Sequence, residues 1–154
     1  MEGFEILGTL LATLSILLIP ILIFVIGFTV VTIIAQWTLF KKCGKNGWEA
    51  LIPFYNSWTL IEISGLNWWY FLILLSPTIL SIVIGNNIIN NFLSLASIFV
   101  YFLAYYNIAK KTKQNEILFG ILGVFIPIVA IMILGFSKNI TYDKNIEVNP
   151  NGIF

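Results

Sequence analysis

Histidine and arginine are absent from the 154 residues, and cysteine occurs once, at Cys43. Without histidine there is no imidazole to act as a general base or to hold a metal. With one cysteine there is no internal disulfide and no CxxC pair. Charge is also scarce. Only 10% of the residues are charged and 59% are hydrophobic, against roughly 25% and 45–50% in ordinary soluble domains. Residues 6–40, 63–109 and 117–137 carry no Asp, Glu or Lys at all. A soluble chain of this size has too little interior to bury them, so the sequence predicts an integral membrane protein in a single membrane domain, with no large extramembrane part. The net charge of +1 gives no reason to expect a nucleic-acid partner, and no cofactor is expected. The abundance of Ile and Asn points to an AT-rich bacterial genome.

A bilayer core about 30 Å thick needs about 20 apolar helical residues. The uncharged blocks predict an all-α fold with four transmembrane helices, near residues 11–34, 68–84, 92–108 and 117–136. Pro20 falls in the first block and is expected to bend that helix; residues before Pro20 either belong to the span or form a separate amphipathic helix. The N-terminus lacks the cations of a secretory signal, so a retained first helix is expected. Gly85, Asn86, Asn87, Asn90 and Asn91 read as a turn between the second and third spans. Pro127 lies inside the fourth.

Cations mark the cytoplasmic side. Lys41, Lys42 and Lys45 follow the first span, and Lys110, Lys111 and Lys113 follow the third. This predicts an inner-membrane protein with both lysine loops in the cytoplasm and both termini outside, the C-terminus as a polar tail over 138–154. Cys43 sits beside Lys41 and Lys42, where cations favour a thiolate and acylation can occur; a thiol placed by chance at a helix end is the simpler reading.

Between the first two spans, residues 41–69 are rich in Trp and interrupted by polar groups. The part over 46–64 reads as an interfacial or re-entrant segment, divided at Pro53 into a short turn over Trp48–Ile52 and a helix over Phe54–Ser64. Helical spacing puts Tyr55, Thr59 and Glu62 on one stripe, flanked by Asn56, and Phe54, Trp58 and Ile61 on the opposite face. Glu62 at membrane depth would be a ligand or proton site; on a solvated face it would be an ordinary surface carboxylate, and the exposed reading is preferred. A weak echo relates Gly44–Trp48 to Gly65–Trp69, with Lys113, Gln114, Asn115 and Pro127 as a fainter third copy.

The run from Gly44, Lys45, Gly47 and Trp48 to Pro53, Tyr55 and Asn56 resembles a GKxGWxxLIPxYN motif found in a family of small bacterial multi-pass membrane proteins of unknown function. Gly65, Trp68 and Trp69 resemble the family's following GKxxWW element, and Leu134-Gly135-Phe136 its closing LGF. Asn46 stands where the pattern often has Pro, and Leu66 where it often has Lys. The module also occurs attached to signal peptidase I, but this chain has no room for that enzyme's catalytic domain. The resemblance implies a membrane module, of an accessory kind, and supplies no reaction.

Catalysis needs a positioned acid, base or nucleophile, and the spans hold no charge. The leading expectation is therefore a non-catalytic membrane protein whose partners are the bilayer and either another membrane protein or further copies of itself. A small channel or transporter subunit lined by Glu62, Tyr55 and Asn56 is the alternative. An immunity protein and a lipid-directed membrane enzyme are lesser ones.

Overall fold

A computed structural model describes the backbone of residues 2–85 and 88–152, and their side chains except those of residues 2–7, 10–12, 17 and 84. Helix α1 covers Glu2–Lys42, and a 3-10 turn follows over Gly47–Leu51. Then come α2 over Pro53–Ser64, α3 over Trp69–Ile84, α4 over Ile88–Lys111, α5 over Glu116–Phe125 and α6 over Pro127–Phe136. The chain is all-helical, with no strand among the described residues. Helices α1 and α4 are long and apolar enough to cross a membrane; α3, α5 and α6 are shorter apolar helices.

The chain divides into residues 1–34 and 35–154. In the first unit the helix continues through Pro20. Its apolar side chains, among them Ile16, Ile23 and Phe24, are exposed. Thr29 and Thr32 each donate to the carbonyl four residues back, both at 2.8 Å, so their hydroxyls are satisfied within the helix.

In the second unit α4 packs against α2, α3 and α5. The core takes Leu39 and Phe40 from the end of α1, Ile61 and Ile63 from α2, Val100, Leu103 and Ile108 from α4, and Leu134 from α6, all at most 2% exposed. Ser97 ties α4 to α3 by donating to the Ile73 carbonyl at 2.9 Å. Close approach depends on missing side chains. A Cβ at Gly123 would strike Tyr105, and one at Gly135 would strike the Ala35 carbonyl.

Two expectations change. The single helix expected over 117–136 is two helices of 10 residues each. Ile126 leaves the helical region (φ −141°, ψ 65°) and Pro127 starts α6; a proline has no N–H to give and disfavours a helical residue before it. Glu116 starts just past the end of α4, and the Lys42 amine reaches the Leu134 and Ser137 carbonyls at 2.9 and 2.6 Å. The α5–α6 pair therefore begins and ends at the lysine-bearing end, whereas one straight helix would have carried the chain to the other end. Second, Asn90 and Asn91 belong to the first turn of α4 rather than to a loop; Asn86 and Asn87 lie outside the described residues.

The polar C-terminal tail is packed on the second unit. It lies across the same lysine-bearing end, with Ile140 only 6% exposed. Asp143 N–H donates to the Lys111 carbonyl at 2.9 Å, and Asn67 N–H to the Pro150 carbonyl at 3.2 Å. Tyr70 donates to the Asn151 carbonyl at 2.7 Å. Lys138 follows Ser137, Lys144 packs over Gly44, and Lys113 faces Asp143. All eight lysines thus gather at one end of this unit.

Lys113 is the non-glycine residue with positive φ (56°) among the described residues. A side chain in that left-handed conformation costs about 1–2 kcal/mol. Lys113→Gly is expected to raise stability by about 1 kcal/mol, net of the extra freedom glycine gives the unfolded chain. The midpoint of thermal unfolding in detergent measures it; a lower midpoint would contradict it.

Candidate functional site at the lysine-bearing end

Helix α1 ends at Lys42, and the chain turns through Gly44 in the left-handed conformation (φ 76°). Asn46 then starts the 3-10 turn. The Glu49 carboxylate accepts from the Asn46 backbone N–H at 3.1 Å and from its side-chain amide at 3.2 Å. The other carboxylate oxygen accepts from the Thr59 hydroxyl at 2.6 Å. Glu49 is 4% exposed and Thr59 fully buried. Burial works against the charge of Glu49, but the hydrogen bonds from Thr59 and Asn46, with Lys45 nearby, outweigh it and hold the carboxyl below its ordinary value. A Cβ at Gly47 would collide with the Trp37 ring, which fixes the turn against α1. Glu49 is the polar residue that sequence reasoning passed over. Its signal was present in the Asn46-x-x-Glu49 spacing, which is that of a reciprocal cap at a helix start.

The stripe of Tyr55, Thr59 and Glu62 does not act as one group. Thr59 turns inward to Glu49. Glu62 is exposed and pairs with Lys45, the two side chains being 48% and 27% exposed, a setting in which an ion pair contributes about 0–1 kcal/mol. Tyr55 is exposed and stacks on Trp48, with ring centroids 5.3 Å apart. Asn56 donates to Gln36 of α1 at 3.0 Å. Nor are Phe54, Trp58 and Ile61 one apolar face. Ile61 is buried, but Phe54 and Trp58 are exposed, and with Tyr55 and Phe71 they line a shallow aromatic groove. The buried side of α2 is Thr59, Leu60, Ile61, Ile63 and Ser64.

Farther along this end, Gly65 closes α2 in the left-handed conformation (φ 77°), where a Cβ would meet Val148 and the Lys111 amine. Trp68 is exposed, and Trp69 stacks on Tyr70 with centroids 3.8 Å apart. Tyr142 from the tail donates to the Ile63 carbonyl at 2.6 Å. The Lys111 amine reaches the same carbonyl at 3.4 Å and the Tyr142 oxygen at 3.3 Å. Cys43 is 3% exposed. Burial pushes its thiol up to about 12 against the opposing pull of Lys111, Lys42 and Lys144, so at neutral pH it is a thiol and not the thiolate its neighbours alone would favour.

Chemically, this end ties helix ends together. Lysine amines meet the carbonyls that close α2 and α6, where a positive charge is favoured by the helix dipole. Among the described residues no three His, Cys, Asp or Glu side chains gather as they would around a metal.

The fold and this end define an all-helical protein with two helices of membrane-crossing length. The chain belongs to the family of unknown function DUF5684, which matches residues 48–145. The match runs from Trp48 into the tail, so it includes Glu49, both short Pro-led helices and Tyr142. No curated protein and no solved structure matches the chain.

Proposed function

We propose that the protein is a non-catalytic, multi-pass module of the bacterial inner membrane that acts through helix contacts, with another membrane protein or a second copy as its partner. The observation that carries the membrane reading is the gathering of all eight lysines at one end of the unit formed by residues 35–154, with α3 and the part of α4 before Lys110, both uncharged, running away from it. Under the positive-inside rule that end is cytoplasmic.

Three crossings follow: α1 inward, α3 outward and α4 inward. At 16 residues, α3 is about 24 Å long and begins at the Trp68 and Trp69 pair, residues that favour the interface. The 3-10 turn with α2, and α5 with α6, are re-entrant from the cytoplasmic side. The N-terminus is outside, and the tail shares the cytoplasmic side with the lysine loops, where a fourth crossing would have put it outside. The channel reading gains nothing from this geometry, since Glu62, Tyr55 and Asn56 face three different partners.

Single cysteines placed in a Cys43→Ser background test the arrangement. Asn91→Cys is expected to react with a membrane-impermeant maleimide in intact cells, and Asn145→Cys only after the inner face is opened. Outside labelling at both sites would restore the four-crossing arrangement. Inside labelling at Asn91→Cys would overturn the orientation.

A further inference from the structure

The segment that ends α1 and the segment that ends α4 repeat each other. Lys41-Lys42-Cys43-Gly44-Lys45-Asn46 aligns with Lys110-Lys111-Thr112-Lys113-Gln114-Asn115 at one constant spacing. The backbone hydrogen bonds agree position by position. Cys43 N–H donates to the Leu39 carbonyl at 3.0 Å, and Thr112 N–H to that of Ile108 at 2.9 Å. Gly44 donates to Lys41 at 3.0 Å, and Lys113 to Lys110 at 3.1 Å; Lys45 donates to Phe40 at 2.9 Å, and Gln114 to Ala109 at 2.9 Å. Gly44 and Lys113 share the left-handed conformation, with φ 76° and 56°.

The resemblance continues on both sides of this turn. Ala35, Leu39 and Phe40 are buried, and so are their counterparts Ala104, Ile108 and Ala109. Asn46 and Asn115 each start a helical segment with an acid in its first turn, Glu49 and Glu116. Each segment stops at an Ile-Pro step, Ile52-Pro53 and Ile126-Pro127, where the isoleucine is non-helical and the proline opens a short helix.

The two copies are joined crosswise. Lys42, from the first, reaches the Ser137 carbonyl at the end of α6, in the second, at 2.6 Å. Lys111, its counterpart, reaches the Ile63 carbonyl near the end of α2, in the first, at 3.4 Å. Ile63 and Ser137 stand equally far beyond Pro53 and Pro127. The tail breaks the equivalence. The Tyr142 hydroxyl donates to the Ile63 carbonyl at 2.6 Å and accepts from Lys111 at 3.3 Å, so it sits between that lysine and its carbonyl.

We infer that the chain is an internal repeat of two helix–turn–Pro-helix units, that Lys42 and Lys111 are positioning residues which each latch the short helix of the other unit, and that the tail, through Tyr142, holds one of the two latches. The amines meet carbonyls rather than carboxylates, so each latch is a charge-assisted hydrogen bond to a helix end. Because the contacts lie within the protein, they hold in micelles as in a bilayer and do not depend on which face of a membrane the lysines occupy. The tail is then a strap through which a cytoplasmic or membrane event would release α2 and leave α6 in place.

Alkylation by N-ethylmaleimide of the full chain in detergent tests this, in a Cys43→Ser background. The probes are Ile61→Cys on α2 and Ile131→Cys on α6, at sites 2% and 4% exposed. Lys42→Met is expected to speed reaction at Ile131→Cys about tenfold, the scale of losing a hydrogen bond to a charged group, and to leave Ile61→Cys unchanged. Lys111→Met is expected to do the reverse. Tyr142→Phe, which deletes a single oxygen, should speed Ile61→Cys alone. General loosening would speed both probes equally in every variant, and that result, or faster reaction in the lysine's own unit, overturns the crosswise latches. If a methionine variant does not fold, Tyr142→Phe still decides the tail's part: an unchanged rate at Ile61→Cys overturns it.

Discussion

Replacing Gly135 by alanine is expected to cost about 3 kcal/mol, the upper end for overpacking a closed contact. The new Cβ would overlap the Ala35 carbonyl oxygen and press on the Thr38 hydroxyl. Ala35 is fully buried, and its carbonyl is backbone in the middle of a helix, so no rotamer change relieves the overlap. Helix α6 must move away, and its movement draws the Leu134 and Ser137 carbonyls off Lys42. Thermal unfolding in detergent measures the loss. Gly27→Ala is the control: nothing lies within 4 Å of its Cβ, and alanine is the better helix former by about 1 kcal/mol. The prediction fails if the two variants unfold at the same temperature.

Glu49→Leu is expected to be comparably damaging. It keeps the bulk and strands the fully buried Thr59 hydroxyl, at a cost of about 1–3 kcal/mol, and it removes the acceptor of the Asn46 N–H, whose residue is exposed to solvent. Glu49→Gln keeps an acceptor and should lose less. Pairing Glu49→Leu with Thr59→Val should recover part of the loss, because the stranded hydroxyl goes too. The native carboxyl is held below its ordinary value, so its contribution is complete above the ordinary carboxylate range near pH 4.3. It is lost as pH falls through that range towards the lowered native value. Unfolding of the parent should therefore become easier on acidification through that window, and Glu49→Gln should flatten the dependence. An equally steep acid loss in both would remove Glu49 from the account.

The apolar blocks, the proline break at Pro53 and the lysine-rich helix ends were legible because each rests on local composition. The break at Pro127 was not. Pro20 and Pro77 remain inside helices, and the same residue ends one helix and starts another at Ile126–Pro127, where α5 and α6 fold back on each other and the Lys42 amine fixes the far end. The stripe on α2 shows a different limit. Helical spacing states which side chains share a face but not which face is covered, and the partner that decided it, Glu49, lies outside that helix. The tail read as polar because Ile140 and Tyr142, which anchor it, are isolated among charged and amide residues. The repeated turn was half visible: its third, faint copy at Lys113, Gln114 and Asn115 was the true counterpart of residues 44–46, with a lysine where a glycine would be expected.

The placement of the lysines has an electrical consequence. A unit charge carried across a membrane gains or loses about 2.3 kcal/mol per 100 mV. In the proposed orientation residues 13–40 and 69–109 carry no charge for the field to act on, and the Lys42 and Lys111 amines are held on backbone carbonyls. The resting potential therefore finds no charge in the three crossings, and any work it does on the protein's conformation goes through Glu49, Glu62 and Glu116 of the re-entrant segments.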